Sequence, residues 1–422
     1  MTSNNVLEQI VVIGGGAAGM MAALTAAQSG AEVILVERNA KMGRKLYITG
    51  KGRCNVTNHC PPDEVLRNTP RNSKFLYSSM RAFPPERTER FFEELGVRLK
   101  VERGNRVFPQ SDKAADVIDA LFFAMRRAGV SVVQDRAMEL RVEESAVTGV
   151  RCEHGMIDCK AVILASGGKS YPLTGSTGDG YEMATACGHT VVPLRGSLVP
   201  LESADPCCKQ MQGLALKNVS VRLLGSTGKT IYQEQGELLF THFGLSGPLI
   251  LSASAHLPED WGEGYAVSID LKPALDEKQL DARLLRDLEQ KANSNFSNIL
   301  SGLLPASMVP VVADRIGVPL DTKAHDLRKE QRRALLRELK EFKVALTGTR
   351  PIEEAIVTAG GIKTGEVDPK TMKSKKVEGL FFAGEILDVD AYTGGFNLQI
   401  AWATGYAAGL GAAAFTAKET AE

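Results

Sequence analysis

Ile10 to Ile13 is a continuous apolar run of β-branched residues. Such a run predicts a strand buried on both faces. The residues from Ala17 to Gln28 are small or apolar, with no breaker after Gly19, and predict a helix that stops near Gly30. Glu32 to Val36 predicts a second buried strand, ended by the acid Glu37. Between Lys41 and Asn58 neither the helical nor the strand period holds, so this stretch reads as a structured loop. An amphipathic helix is expected over Arg87–Leu95, and a longer one over Lys113–Ala128, where Val117, Leu121 and Met125 recur every fourth residue. Gly104–Ser111 reads as a turn and a short extended segment, while Val130–Val133, Glu139–Val142 and Lys160–Ala165 read as strands.

The pattern changes near Val191. Short strands are expected at Val219–Leu224, Thr230–Gln233 and Ala266–Leu271, with a glycine-punctuated loop at Leu239–Pro248. From Asp276 to Phe342 the chain turns helical and charged. After Pro351 the first character returns, with strands at Ala355–Ala359 and Leu380–Ala383 and a last helix from about Asn397. The simplest organisation is an α/β fold with a discontinuous Rossmann-like domain, residues 1–190 with 350–422. An inserted β-rich lobe, 191–275, and a helical lobe, 276–349, would interrupt it.

Composition narrows the class. A hydrophobic fraction of 44% and a charged fraction of 24% over 422 residues suit an ordinary globular chain of two or three domains. Fifty basic and fifty acidic residues leave no net charge, which argues against a nucleic-acid or membrane partner. The charged helix near residue 330 interleaves acids with its bases, so it reads as a solvated face. Neither a signal peptide nor a membrane-spanning run is expected. Seven cysteines without a C-x-x-C pair point to a reducing, cytoplasmic setting. Adjacent Cys207 and Cys208 read as small core or loop residues. His189, His256 and His325 lie far from one another along the chain, so no metal site is expected.

The chemistry starts at the first turn. Gly14, Gly16 and Gly19 stand at the spacing G-x-G-x-x-G between two strand-like runs, and Glu37 follows at about the interval of a ribose-binding acid. Glycine permits the tight turn, the approach of a pyrophosphate and the close lie of helix on sheet. The helix N-terminus adds free N–H groups and partial positive charge. This element alone fits NAD, NADP or FAD. Arg44, Lys45, Lys51 and Arg53 lie in a loop with glycine at 43, 50 and 52, as a segment that approaches an anionic ligand closely requires. A second Gly-acid element, Gly384 and Glu385 with Asp388, falls between a strand and the last helix.

That second element resembles the one that holds the ribityl–pyrophosphate part of FAD in glutathione-reductase-type flavoproteins. The run STGDGYEMA resembles the TGDG segment of the fumarate reductase and succinate dehydrogenase flavoproteins. Six longer runs are GRKLYITGKGRCNVTN, RVFPQSDKA, GGKSYPLTGSTGDGY, LLFTHFGLSGP, VTAGGI and FFAGEILDVDAYTGGFNLQIAW. Together they resemble the bacterial flavoprotein family of BaiN and aminoacetone oxidase, from residue 11 to about 409. Lys51 departs from the SGGGRCN run of many relatives.

The resemblance implies non-covalent FAD, an inserted β-barrel-like lobe and a helical lobe. It implies that Gly14, Gly16, Ala17 and Ala18 hold the pyrophosphate and Glu37 the adenosine ribose. Arg38, Arg44 and Lys45 would line the adenosine and phosphate side. Asn55 and Thr57 would lie near the ribityl chain or ring, and the Met138 backbone would meet adenine. Ala165, Ser166 and Gly167 would pass beside the cofactor. Glu385 and Asp388 would take the sugar-alcohol chain, and the helix start at Asn397 and Leu398 would face the pyrimidine end of the flavin.

The protein's share of flavin chemistry is positioning and proton delivery. His242 is the catalytic candidate, as proton donor or polariser, with a structural loop histidine as the alternative. Tyr171, Arg53 and Tyr392 are further candidates for similar work. Three functions fit: NAD(P)H-linked reduction of a small organic substrate such as an activated C=C bond, oxidation of a small amine with oxygen as acceptor, and a non-catalytic or RNA-linked flavoprotein role. With one complete dinucleotide motif, NAD(P)H would bind transiently. The substrate and the oligomeric state stay open.

Overall fold

A computed structural model describes residues 9–419. It divides into two compact units, one of residues up to Ser197 together with Ile352 onward, the other Leu198–Pro351.

The first unit is built on five parallel strands. Their spatial order is Leu380–Phe382, Ala161–Leu164, Ile10–Ile13, Val33–Glu37 and Ser131–Gln134. Ile10–Ile13 lies in the middle, paired in register with Ala161–Leu164 on one side and Val33–Val36 on the other. All four of its residues are buried, as an apolar β-branched run flanked on both faces demands. Helix Ala17–Gln28 packs on this sheet, and helix Phe396–Glu419 packs along that helix. The approach of the two helices is close. A Cβ on Gly405 would lie 2.4 Å from the Ala18 carbonyl oxygen, and one on Gly409 would lie 2.5 Å from that of Ala22. Strands from late and early in the chain thus share one sheet and one core.

The basic stretch 41–58 is more ordered than a loop. It holds a short helix at Arg44–Ile48, a tight turn at Thr49–Gly52 and the strand Thr57–Asn58. Its periodicity was too short to register, because the helix is little more than one turn. Lys51 sits in the left-handed region at φ 60°, where a side chain is strained. Glycine would adopt this conformation without that strain.

The second unit holds a seven-strand ladder in the order 342–345, 266–270, 215–224, 230–241, 244–246, 201–202 and 348–349. Its two edge strands are separated by Leu346 and Thr347 alone, so one run of chain meets both edges. Among the described residues the two edge strands do not pair with each other, so the ladder stays open and does not form the β-barrel-like lobe that the resemblance implies. The stretch 239–248, expected as a loop, instead contains a hairpin: strand Thr230–Thr241 turns at His242–Phe243 into Gly244–Ser246. Gly244 serves close strand packing, since a Cβ there would lie 2.2 Å from the Leu201 carbonyl oxygen. Helices Glu277–Gln290, Met308–Arg315 and Lys329–Lys340 pack against these strands in one core, which includes Leu280, Val312, Leu335, Val221 and Ile269. Cys207 and Cys208 are buried in that core, and all seven cysteines are free thiols. No described helix is long and apolar enough to cross a membrane.

Candidate FAD site

The site is assembled at the carboxyl ends of the parallel strands. Gly14, at φ 107°, makes the turn out of Ile10–Ile13, and a Cβ there would sit 2.6 Å from the Ala165 carbonyl oxygen. A Cβ on Gly19 would overlap the Gly14 carbonyl oxygen at 1.9 Å. Gly16 differs, because no heavy atom lies within 4 Å of where its Cβ would be. It caps helix Ala17–Gln28 without a side-chain hydrogen bond. The first-turn amides of this helix have no acceptor within the helix, the arrangement that can receive a phosphate.

Glu37 is 8% exposed at the end of the neighbouring strand. One carboxylate oxygen accepts the Gly15 N–H at 2.7 Å; the other accepts the backbone and side-chain N–H groups of Asn39, each at 2.7 Å. Glu37 thus fastens the glycine turn, with acceptor capacity left for a ribose hydroxyl. We expect Glu37→Ala to weaken FAD retention by about tenfold or more. Hydrogen bonds to a charged group are worth about 1.5–3 kcal/mol, and 1.4 kcal/mol is a decade. Fluorescence titration of the apoprotein checks this, and unchanged affinity would leave Glu37 as a strand terminus only.

Arg38 and Arg44 lie beside this acid. Arg38 donates to the Thr177 hydroxyl at 2.8 Å, and Arg44 donates to the Asn39 side-chain oxygen at 2.9 Å. Met138 falls at a bulge between strands Ala137–Glu143 and Ala146–Cys152, where the register passes from Ala137 to Glu139 and leaves it out of the ladder. A bulge frees backbone groups for another partner. Ala165 continues the strand, donating its N–H to Ile13, and Ser166 and Gly167 follow it.

Lys45, Ser170, Thr358 and Glu385 converge. The Glu385 carboxylate accepts the Lys45 ammonium at 2.6 and 2.9 Å, the Ser170 hydroxyl at 3.0 Å and the Thr358 N–H at 2.8 Å. Lys45 and Glu385, expected on the phosphate side and the sugar-alcohol side, stand in direct contact. Gly384 allows this loop to close, since a Cβ on it would lie 2.6 Å from that of Ala18. Burial pushes the Asp388 carboxyl above its ordinary range, although Asn72 donates to it at 2.8 Å. Nearby Asp390 is buried and takes Arg71 at 2.6 Å and the Ser197 hydroxyl at 2.6 Å.

Several expected residues face protein partners. The Thr57 hydroxyl donates to Gln399 at 2.7 Å, because the buried Gln399 carbonyl gathers Thr57 and Thr88. The Asn397 amide holds the backbone of Ala391 and Tyr392, while Leu398 is half-buried beside it. Arg53 pairs with Glu102 at 2.9 Å and lies 4.0 Å from the Phe108 ring centroid. Tyr171 is half-buried at φ 52°, and burial together with the Glu354 carboxylate raises its phenol. Tyr392 donates its N–H to Asn68. His242 belongs to the second unit, exposed on the hairpin turn with its ring against Phe243 at 5.0 Å. Among the described residues, no cluster of three His, Cys, Asp or Glu could hold a metal ion.

Two buried side-chain oxygens at the site, Asn55 Oδ1 and Ser166 Oγ, have no hydrogen-bond partner. A buried oxygen left so costs about 1–3 kcal/mol unless a ligand supplies a donor. FAD fits on three counts: donors for such an oxygen, an open helix N-terminus for its pyrophosphate, and an acid for its ribose.

The whole chain carries this arrangement. Residues 8–411 match the family model of the HI0933-like protein Rossmann domain. The chain belongs to that family. It is 32% identical to a 3-dehydro-bile acid Δ4,6-reductase of Clostridium scindens, over 96% of this chain and 99% of the relative. It is 31% identical to a ribosomal RNA dihydrouridine synthase of Escherichia coli, over 94% of this chain and 96% of the relative. Among solved structures, the quinol fumarate reductase FrdA of E. coli shares the fold at a TM-score of 0.51 and 17% identity, covering 97% of this chain and 70% of that one. Family membership and the FAD-fitting cradle make this chain an FAD-dependent oxidoreductase.

The residues that sequence reasoning missed are mainly those that hold others in place. Trp402 donates to the Val56 carbonyl at 2.9 Å, and Gln399 donates to that of Phe83 at 2.7 Å. A Gln and a Trp inside a small-residue helix were the available signal, since buried polar groups need partners.

Proposed function

We propose that this enzyme reduces a carbon–carbon double bond conjugated to a carbonyl, with NAD(P)H as a transient electron donor and the FAD held non-covalently. The observation that carries this reading is the pair of relatives. One is named for a Δ4,6-reductase and the other for a dihydrouridine synthase, and both match almost the full chain. Both names denote saturation of a C=C bond, and the C5=C6 bond of uridine is conjugated to a carbonyl as an enone is. Bound FAD supplies hydride acceptance and donation. The protein holds the dinucleotide by the Gly16 turn and Glu37, and His242 is our candidate for the proton the product gains. We place the enzyme in the cytoplasm and take a small molecule as its substrate. Uridine in RNA is the second reading, favoured by the dihydrouridine synthase relatives.

Anaerobic mixing with NADH or NADPH is expected to bleach the flavin absorbance, and an activated enone to restore it. Donor and substrate should use the flavin in turn and give ping-pong kinetics. Restoration by an rRNA transcript but by no small enone would favour the RNA reading. Bleaching by a small primary amine alone, with peroxide released on adding oxygen, would replace reduction by amine oxidation.

A further inference from the structure

The glycine-rich run after strand Ala161–Leu164 crosses to the ends of two other strands and is fastened there. Arg38 follows the end of strand Val33–Glu37, and Arg136 lies just past strand Ser131–Gln134. These strands are neighbours, with Glu37 opposite Gln134. Both arginines reach Asp179, the first residue of helix Asp179–Ala186. One Asp179 oxygen accepts from Arg136 Nε at 2.8 Å and from Arg136 Nη2 at 2.8 Å, and from Arg38 Nη1 at 3.4 Å. The other accepts the Thr177 hydroxyl at 2.6 Å, and Thr177 in turn accepts from Arg38 at 2.8 Å. Asn39 adds a bond to the Thr174 carbonyl at 3.1 Å.

The segment between these fastenings is short and bracketed by glycine. Gly175 stands at φ 108° and Gly178 at φ 93°, conformations open to glycine and strained for other residues. The segment lies against residues 38 and 39, directly after Glu37. A Cβ on Gly175 would lie 2.5 Å from the Asn39 side-chain nitrogen, Nδ2. The ion-paired side chains are partly exposed, 33% for Arg38, 41% for Arg136 and 22% for Asp179, so the fastening can open to water. Hinges are a few loop residues that absorb backbone rotation, and small residues such as glycine often serve there.

We propose that Gly175–Gly178 is a strap across the adenosine end of the FAD site, and that Asp179, gripped by Arg38 and Arg136, is its latch. The inference rests on placing the adenosine ribose at Glu37. Arg38, Arg136 and Asp179 act as positioning residues in this role, because they hold the strap. Opening the latch admits FAD and releases it, so its strength sets the exchange rate in both directions.

The test uses the full chain, stripped of FAD and mixed with it in a stopped-flow fluorimeter. Asp179→Asn is expected to raise the association and dissociation rates together by about tenfold, leaving Kd within about threefold, since charge-assisted bonds of this kind carry effects of that order. Arg136→Gln should do the same, and the double variant should add little, because both remove one contact. Asp179→Glu should bring both rates back toward the parent values. A rise in dissociation alone would make Asp179 an ordinary contact and overturn the strap, as would unchanged rates or additive single variants. If Asp179→Asn does not fold, the Arg136→Gln rates decide by the same criteria. A parent chain that takes up no FAD would overturn the cofactor reading, and the strap with it.

Discussion

A chain ended after Ala345 is expected to retain no FAD, even where the fragment stays soluble. The cut removes strand Leu380–Phe382, which pairs with Ala161–Leu164, and strand Val357–Ile362, which pairs with Val191–Ser197. It also removes Thr358 and Glu385, and with Glu385 the common partner of Lys45 and Ser170. The largest loss is helix Phe396–Glu419, whose Gly405 and Gly409 lie against the Ala18 and Ala22 carbonyls. Without it, one side of helix Ala17–Gln28 is stripped to water. Buried residues such as Met21, Ala22 and Trp402 lose their partners or disappear, and apolar burial is worth about 25 cal/mol per Å². Ultrafiltration of fragment with FAD checks the outcome. A fragment that holds FAD as tightly as the full chain would rule out a nucleotide domain completed by both ends of the chain.

Gly19→Ala is expected to lower both the stability of the apoprotein and its affinity for FAD, whereas Gly16→Ala should lower the affinity alone. At position 19 the added methyl would lie 1.9 Å from the Gly14 carbonyl oxygen, so the turn must shift. Overpacking of this kind costs about 1–3 kcal/mol, a tenfold to hundredfold effect on an equilibrium. At position 16 the methyl enters open space in the apoprotein. It meets a neighbour only when a pyrophosphate arrives. Thermal melts of the two apoproteins and FAD titrations separate the effects. Equal melts with equal affinities would mean that neither glycine is present for closeness.

The parallel sheet and helix Ala17–Gln28 were legible because their residues obey one rule. Ile10–Ile13 and Ala161–Leu164 are short apolar runs buried on both faces, and Ala17–Gln28 is small where it must pack closely. Glu37 and Glu385 stood out as candidates for a similar reason, since each follows an apolar run at a position where a charge needs a purpose. Less could be read where pairing is remote. Gln399, Thr57 and Thr88 meet in the core from three distant parts of the chain, and nothing local to any of them announces the other two. The hairpin at His242 was hidden by glycines that read as loop residues but serve close contact between strands. The grip of Arg38 and Arg136 on Asp179 was likewise invisible, because it depends on which strands lie side by side.

The arrangement of the first unit also bears on the order of events at the ribosome. Its central strand, Ile10–Ile13, is synthesised long before helix Phe396–Glu419, which packs on helix Ala17–Gln28. The second unit, Leu198–Pro351, is continuous and is fully synthesised while its neighbour still lacks strand Leu380–Phe382. Domains fold as units during synthesis, which proceeds at about 5–20 residues per second, so on the order of ten seconds separates the two completions. Through that interval the glycine turn exists without the helix that backs it. On this order, a complete acceptor for FAD exists only once helix Phe396–Glu419 has been made.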